Sequence, residues 1–357
     1  MSESLAVPKT MRAVVYHGPG DLRMEQLPVP GIRSDEILVR VATCGVCPTD
    51  IKKIMHGTVP PPRVFGHETA GTIVRVGARV RGFSEGDRVG LHHHVPCLDC
   101  HFCRHRAFAQ CATYRRTGIT AGYEPAGGGY AEFVRVMSFC LPGVVRIPRA
   151  NGFEEGAMLE PVNTVLKGIR RLDLLPGDTV LVAGQGPIGL LFTRLLKVGG
   201  ARVVATDLLD SRLRLAKKWG ARHAVRADAI DAVDAIRKAA GRNGVDAAVL
   251  AVPSAAALHQ AQSLLRGGGR LLLFAHTRRG DAEPIDLASV CVDEKDLVGS
   301  YSSDFTLQTE VARLVFRRQL DVRPLITHRF PLSETAAAVA LAAKPTADSL
   351  KIVVKVT

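Results

Sequence analysis

The chain has 357 residues, 46% of them hydrophobic and 23% charged, enough apolar surface for a large core and too much for a disordered chain. Its formal charge of +13, from 47 basic and 34 acidic residues, raises nucleic acid, anionic membrane or a phosphorylated ligand as partners. The arginines are scattered, however (Arg12, Arg33, Arg79, Arg170, Arg242, Arg317), which favours solvated surface charge over a nucleic-acid stripe. No segment approaches the ~18 apolar residues of a membrane span and MSESLAVPKTM lacks the apolar core of a secretion signal, so a soluble, cytoplasmic protein is expected.

Residues 1 to 10 read as a tail. From Met11 to about Arg149 come short alternating runs broken by Gly and Pro, such as MRAVVYH, EILVRVA, TAGTIVRVG, DRVGLHH and YAEFVRV, which predict a β-rich, barrel-like unit. Within it, Cys47 in GVCPTD and the pair His67 and Glu68 in FGHETAG occupy turns between strands. Thiolate, imidazole and carboxylate together suit Zn²⁺, and three protein ligands leave a position open; Cys44 is an alternative thiolate that spacing does not exclude. Cys97, Cys100, Cys103 and Cys111 follow as C-x2-C-x2-C-x7-C, short enough for four thiolates to close around one Zn²⁺, with an iron–sulfur cluster as the competitor. A site with four thiolates has no open position and predicts a structural lobe at about residues 95–113. In a reducing compartment the remaining cysteines read as thiols.

After about Asn151 the period changes. EEGAMLEPVNTVLKGIRRL predicts one helix, TVLVAG a buried strand, and PIGLLFTRLLKVG a helix. ARVVATD, the helix SRLRLAKKWGA, a polar helix at about 229–240, DAAVLAV, a helix at 255–265 and the strand RLLLFAH, after the turn Gly267 to Gly269, continue the alternation and predict a doubly wound parallel sheet. Between the first strand and helix, Gly184, Gly186 and Gly189 form G-x-G-x-x-G around Pro187 and Ile188, a turn that lets a pyrophosphate approach the backbone and the helix N-terminus. Asp207 ends the next strand, where a carboxylate accepts hydrogen bonds from ribose hydroxyls and repels a 2′-phosphate; NAD is therefore expected over NADP, with Arg212 as the residue able to meet a phosphate. From about Ser300 a long amphipathic helix, PLITHRFPL, the helix SETAAAVALAA and the strand LKIVVKV close the chain, and this last strand is expected to pack back on the first unit.

In this order GVCPTD, FGHETAGTIVRVG, GDRV, the cysteine cluster, GGGYAEF, LEPV, VAGQGPIG and KIVVKV resemble the zinc-dependent medium-chain alcohol dehydrogenases, from Met11 to the end. The resemblance implies an α/β protein: a GroES-like catalytic domain (1–155) interrupted by a Rossmann domain (156–299) and resumed at 300–357. It also implies two zinc ions per chain, a nicotinamide cofactor, interconversion of an alcohol and its carbonyl, and a homodimer or homotetramer. Carried over, Cys47 and His67 are catalytic zinc ligands, and Glu68 is a ligand or exchanges with one. Glu160 stands where many relatives have a second cysteine, which is similar to the sorbitol, polyol and threonine dehydrogenase branch. Thr49 matches the hydroxyl that bonds the substrate oxygen and Asp50 the acid that orients the histidine. Thr164 falls with the cofactor-binding residues. Lys52 stands where relatives carry a relay histidine and is a candidate acid/base.

Polar candidates Lys52, His56, His94 and Tyr301 suggest a hydroxylated substrate, a polyol or sugar alcohol, with a simple secondary alcohol or threonine as alternatives. A zinc-containing nucleic-acid-binding protein on the same frame is the reading of a different class, and the scarcity of aromatic residues between Cys97 and Cys111 argues against it.

Overall fold

The computed structural model describes residues 6–92, 94–116, 118–124, 127–275 and 280–357. Residues 1–5 of the tail, His93 at the end of DRVGLHH and His276 at the end of RLLLFAH lie outside them. The chain divides into two compact units, Met1–Asn163 with Ser302–Thr357, and Thr164–Tyr301.

The first unit begins with strands β1 (Thr10–Gly18), β2 (Asp21–Pro28) and β3 (Ile37–Gly45) and helix α1 (Pro48–His56). Strands β4 (Arg63–Val64), β5 (Glu68–Val76) and β6 (Arg88–Gly90) lead to the short helices α2 (His101–Arg104) and α3 (Ala112–Arg116). Strands β7 (Ile119–Thr120), β8 (Phe133–Val136) and β9 (Val145–Arg146) and helix α4 (Phe153–Ala157) follow. Helix α5 (Leu159–Arg170) crosses into the second unit, which continues with β10 (Thr179–Ala183), α6 (Pro187–Val198), β11 (Arg202–Asp207), α7 (Asp210–Trp219) and β12 (His223–Arg226). It is completed by α8 (Ala232–Ala240), β13 (Val245–Leu250), α9 (Ala255–Leu264), β14 (Leu265–Leu273), α10 (Leu287–Val292) and β15 (Asp296–Gly299). The first unit then resumes with α11 (Gln308–Phe316), β16 (Ile326–Pro331), α12 (Thr335–Ala343) and β17 (Lys351–Lys355).

In the first unit β2, β1 and β4 form one antiparallel sheet. The larger sheet runs β16-β17-β3-β5-β6-β9, and β8 pairs with both β3 and β7. Its core holds Ile37, Val39, Val41, Ile73, Val134 and Val354, with Tyr16 and Tyr130 fully buried among them. The alternating runs of the sequence supply these inward faces. Strand β17 enters this sheet antiparallel to β3, pairing Val353 with Gly45 and Val354 with Cys44. The second unit is a six-stranded parallel sheet in the order β12-β11-β10-β13-β14-β15, the doubly wound arrangement. All five residues of its central strand β10 are buried, as a strand covered by helices on both faces requires.

Three elements differ from the sequence expectation. The predicted helix EEGAMLEPVNTVLKGIRRL is two helices, α4 and α5, because Pro161 has no N–H to donate and is tolerated only in the first turn of a new helix. The turn expected at Gly267 to Gly269 lies inside β14, where Gly268 takes φ +65° and the register against β13 shifts. The long helix expected after Ser300 is a 3₁₀ turn, Phe305–Leu307, capped by the Asp304 side chain, followed by the nine-residue α11. Of the scattered arginines, Arg12 pairs with Glu132 at 2.8 Å and Arg79 with Asp35 at 3.5 Å, on the surface, each contact stabilising by at most about 1 kcal/mol. No helix among the described residues is long and apolar enough to cross a membrane.

The approach of β5 to β3 depends on Gly71, which pairs with Val41 beside a register shift. A Cβ there would collide with the Arg40 carbonyl oxygen and lie 2.8 Å from Val39 Cγ1. Gly71→Ala is expected to destabilise the first unit by about 1–3 kcal/mol, read as a lower unfolding midpoint in urea, while unfolding of the second unit is unchanged.

Candidate active site and metal centres

Three strand ends meet at one end of the larger sheet, on its neighbouring strands β17, β3 and β5. β3 terminates at Gly45, two residues before Cys47; β5 starts at Glu68, paired with Gly45; and β17 starts at Lys351. Cys47 is the N-cap of α1, whose first position is Pro48 and whose end is closed by Gly57 in the left-handed region. The result brings ligand atoms of Cys47, His67 and Glu68 within 4.8 Å of one another. Cys44, by contrast, points into the core against Thr69 Oγ1 at 3.4 Å, and burial pushes its thiol up to about 12. Of the two candidate thiolates, Cys47 is the one in the cluster.

His67 Nδ1 donates to Asp50 Oδ1 at 3.0 Å, an assignment that leaves Nε2 for the side of Cys47. Burial alone would lower the His67 pKa, but the charges of Asp50 and Cys47 outweigh it and hold the imidazole well above its ordinary value. Glu68 is met by Lys351, whose Nζ forms a buried ion pair with Oε2 and also donates to the Val46 carbonyl at 3.0 Å. Burial works against the ammonium; Glu68 and Cys47 overcome it and raise the Lys351 pKa, with Glu160 adding a smaller contribution. Glu160 itself is buried in α5, outside the tight three-residue set but near enough for its charge to act on Lys351. Gly45 is required here, since a Cβ would fall on Glu68 Oε2 and 3.0 Å from Lys351 Cε.

The donor set fits zinc: a soft thiolate, an imidazole with its tautomer held by a carboxylate, and a hard carboxylate. Thr49 and Lys52 occupy the same helix as Cys47, both partly buried, and desolvation lowers the Lys52 pKa against the opposing pull of Cys47. The other polar candidates separate. His56 is exposed at the end of α1, Tyr301 is 46% exposed in the second unit, and the His94 ring lies 6.1 Å from that of His67.

The four lobe cysteines also converge, with all sulfurs within 4.8 Å. Sγ of Cys100 and Cys103 are 3.5 Å apart and those of Cys97 and Cys103 3.9 Å, close to the ~3.8 Å edge of a tetrahedron with Zn–S bonds of ~2.3 Å. Backbone N–H groups of Cys97 and Cys100 donate to Cys111 and Cys97 sulfurs at 3.4 Å. Backbone N–H groups of Asp99 and Cys100 pull Cys97 down to about 6, whereas burial pushes Cys103 up to about 12. The four are thiolates together only around a cation.

In the second unit Gly184, at φ +88°, turns the chain out of β10, and Gly186 caps α6 with Pro187 at its first position and Ile188 next, partly buried. Gly189 packs so tightly that a Cβ would strike the Gly184 carbonyl oxygen. Asp207 ends β11; its Oδ2 accepts from Gln185 N–H at 2.6 Å and Oδ1 from Leu209 N–H at 2.9 Å. Gln185 is buried and its side chain bridges Val182 and Thr193 at 2.9 Å each, fixing the turn. Arg212 is buried in α7, and Thr164 is partly buried in α5.

The sequence reading missed Lys351 and the residues around His94. Lys351 had one signal, a lysine at the start of a mostly apolar strand; Ser302 and Tyr114 had none, because Ser302 lies 208 residues from His94 and 188 from Tyr114.

Comparison with known proteins follows the same lines. A family model described as an alcohol dehydrogenase GroES-like domain matches residues 33–148, and one described as a zinc-binding dehydrogenase matches residues 187–317. Sorbitol dehydrogenase of Bacillus subtilis is 30% identical over 354 residues, covering 98% of each chain, and that of Homo sapiens is 30% identical over 91% of each. Among solved structures, alcohol dehydrogenase TADH of Thermus sp. ATN1 superposes with a TM-score of 0.86 at 28% identity, covering 97% of this chain and all of that one. A protein of Sinorhizobium meliloti 1021, provisionally described as a zinc-binding dehydrogenase and bound to NADP, gives 0.88 at 28% identity over 98% of this chain and 100% of its own. The chain therefore belongs to the zinc-dependent medium-chain alcohol dehydrogenases of sorbitol dehydrogenase type, oxidoreductases that act on CH–OH groups with zinc and a nicotinamide cofactor.

Proposed function

We propose that the protein oxidises a polyol or sugar alcohol to its carbonyl with NAD, using one zinc held at Cys47, His67 and the glutamates Glu68 or Glu160, and a second in the four-cysteine lobe. The observation that carries this reading is the clustering of Cys47, His67 and Glu68 within 4.8 Å, with His67 oriented by Asp50 and Glu68 by Lys351. When bound, zinc supplies Lewis acidity at the substrate oxygen and the nicotinamide supplies the hydride acceptor. The chain does the rest. Asp50 keeps His67 in the ligating tautomer, and Lys351 holds Glu68 while leaving its second oxygen for the site. Thr49 Oγ1 accepts the substrate hydroxyl proton as its own passes to the neutral amine of Lys52, one turn further along α1 with its pKa lowered by desolvation, which hands it outward. Sorbitol dehydrogenases as full-length relatives, and a glutamate at position 160, support a substrate with several hydroxyls.

Support for NAD comes from Asp207, whose carboxylate stands beside the glycine turn where a 2′-phosphate would meet its charge. The ratio of kcat/KM for NAD⁺ over NADP⁺ is expected to exceed tenfold. Asp207→Asn removes that charge and should lower the ratio by about tenfold, in steady-state assays with either cofactor. Gly189→Ala should abolish NADH binding, followed by nicotinamide fluorescence, with zinc content unchanged.

Metal analysis of the purified protein is expected to find two zinc ions per chain. Cys47→Ala should leave one and lower kcat by at least about 10³-fold, which is ~4 kcal/mol of barrier. A Cys47→Ala protein with full turnover and both ions would overturn the assignment.

A further inference from the structure

On the cysteine lobe, outside both metal clusters, two imidazoles face each other. Helix α2 is a single turn anchored by buried Cys103, with Cys100 as its N-cap and His105 as its C-cap. Backbone bonds close the turn, from Arg104 N–H to the Cys100 carbonyl at 3.1 Å and from His105 N–H to the His101 carbonyl at 3.3 Å. Residues four apart on a helix lie one above the other, and the His101 and His105 rings accordingly stand 4.6 Å apart between centroids, tilted by 60°. Both residues are exposed. The Phe102 ring meets that of His101 edge-on at 5.7 Å. Asp99, the acid nearest in sequence, is engaged by Arg104 at 3.2 Å, and neither imidazole has a carboxylate partner among the described residues.

We propose that His101 and His105 form a third metal site, for a divalent transition-metal ion that favours imidazole, such as Zn²⁺ or Ni²⁺, and that an ion bound there steadies the turn carrying Cys100 and Cys103. Two imidazoles bound to one ion at ~2.0–2.1 Å and near a right angle hold their ring centres about 4.5 Å apart, the spacing already present. Imidazole takes Zn²⁺, Ni²⁺ and Cu²⁺ ahead of Mg²⁺ or Ca²⁺, which prefer oxygen ligands. Because both rings are held on one turn, the second binds at the high effective concentration of an intramolecular partner, and water fills the remaining positions. The surroundings favour a cation as well. Four thiolates around one Zn²⁺ carry two units of net negative charge beside the pair, while Arg104 is offset by Asp99. That charge rests on the reading of the lobe as a zinc cage; the ring geometry does not. An ion across the two rings ties together the ends of a helix too short to be held by its own hydrogen bonds.

The test uses the zinc-loaded protein with Ni²⁺ as the probe. Calorimetric titration of the wild type should show one Ni²⁺ per chain beyond the zinc, with no zinc released, and His101→Gln or His105→Gln should weaken that binding at least about tenfold. Both variants are expected to keep kcat/KM for alcohol oxidation within twofold of the wild type, since neither residue belongs to the catalytic cluster. Saturating Ni²⁺ should slow alkylation of the lobe cysteines by iodoacetamide at least about threefold in the wild type and in neither variant. The site is overturned by an absence of saturable binding, by binding that changes less than twofold in both variants, by half an ion per chain, as for an ion shared between two copies, or by zinc release as Ni²⁺ binds. Unchanged alkylation overturns its effect on the turn. A protein holding a single zinc before Ni²⁺ is added overturns the reading of the lobe instead, and metal analysis separates that outcome from failure of the histidine pair.

Discussion

A lysine with no access to water is expensive, and the buried pair of Lys351 and Glu68 is the contact around which the catalytic unit is arranged. Desolvating two charges costs several kcal/mol per ion, repaid only with close geometry and further hydrogen bonds. Lys351 has both, Glu68 on one side and the Val46 carbonyl on the other. The pair can form only if β17, carried to the sheet after the whole second unit has been threaded, lands beside β3 in the register that sets Val353 against Gly45. Gly45 in turn must lack a side chain for both charged groups to reach each other. One buried contact thus ties the last strand of the chain to the two segments that bear Cys47 and His67.

The charge balance explains why a lysine is suited to that place. Cys47 as thiolate with Glu68 and Glu160 as carboxylates brings three negative charges toward one divalent cation. With the zinc proposed there, Lys351 supplies the third positive charge and balances these three negative ones, whichever glutamate is the closer ligand. Held in this way, Glu68 is not obliged to bind metal in order to be satisfied.

The lobe solves a different problem. Residues 97–114 contribute a small buried cluster, Cys103, Cys111 and Tyr114, too few apolar groups to hold an irregular segment by packing alone. In the proposed reading four thiolates around a cation stand in for the missing core, and Tyr114 stacks on the His94 ring. What was legible in the sequence follows from this contrast. The four-cysteine spacing, the glycine turn before α6 and the triplet Gly66, His67 and Glu68 are local patterns, each meeting its geometric requirement within about fifteen residues. The alternating and buried runs likewise announced the two sheets. Lys351, Ser302 and Tyr114 act through partners 283, 208 and 188 residues away, and pairing at that range is decided by strand register and packing, which no local period encodes. The split of the helix before Arg170 was readable in principle from Pro161, but the unbroken hydrophobic period across Met158 masked it.

In the nucleotide-binding unit the same economy of contacts couples two tasks on one residue. Asp207, proposed above to meet the ribose of the dinucleotide, has both of its oxygens already accepting backbone N–H bonds, from Gln185 in the glycine turn and from Leu209 at the start of α7. A carboxylate has lone pairs enough for these and for ribose hydroxyls as well. Removing the carboxylate therefore does more than lift the repulsion of a 2′-phosphate: it releases the N–H that holds the turn against β11 and the one that starts the next helix. Cofactor preference and the shape of the pyrophosphate turn are for this reason not independently adjustable at position 207. A change of preference that preserves binding requires a side chain that still accepts from Gln185, with the positive charge for the extra phosphate supplied from elsewhere on α7.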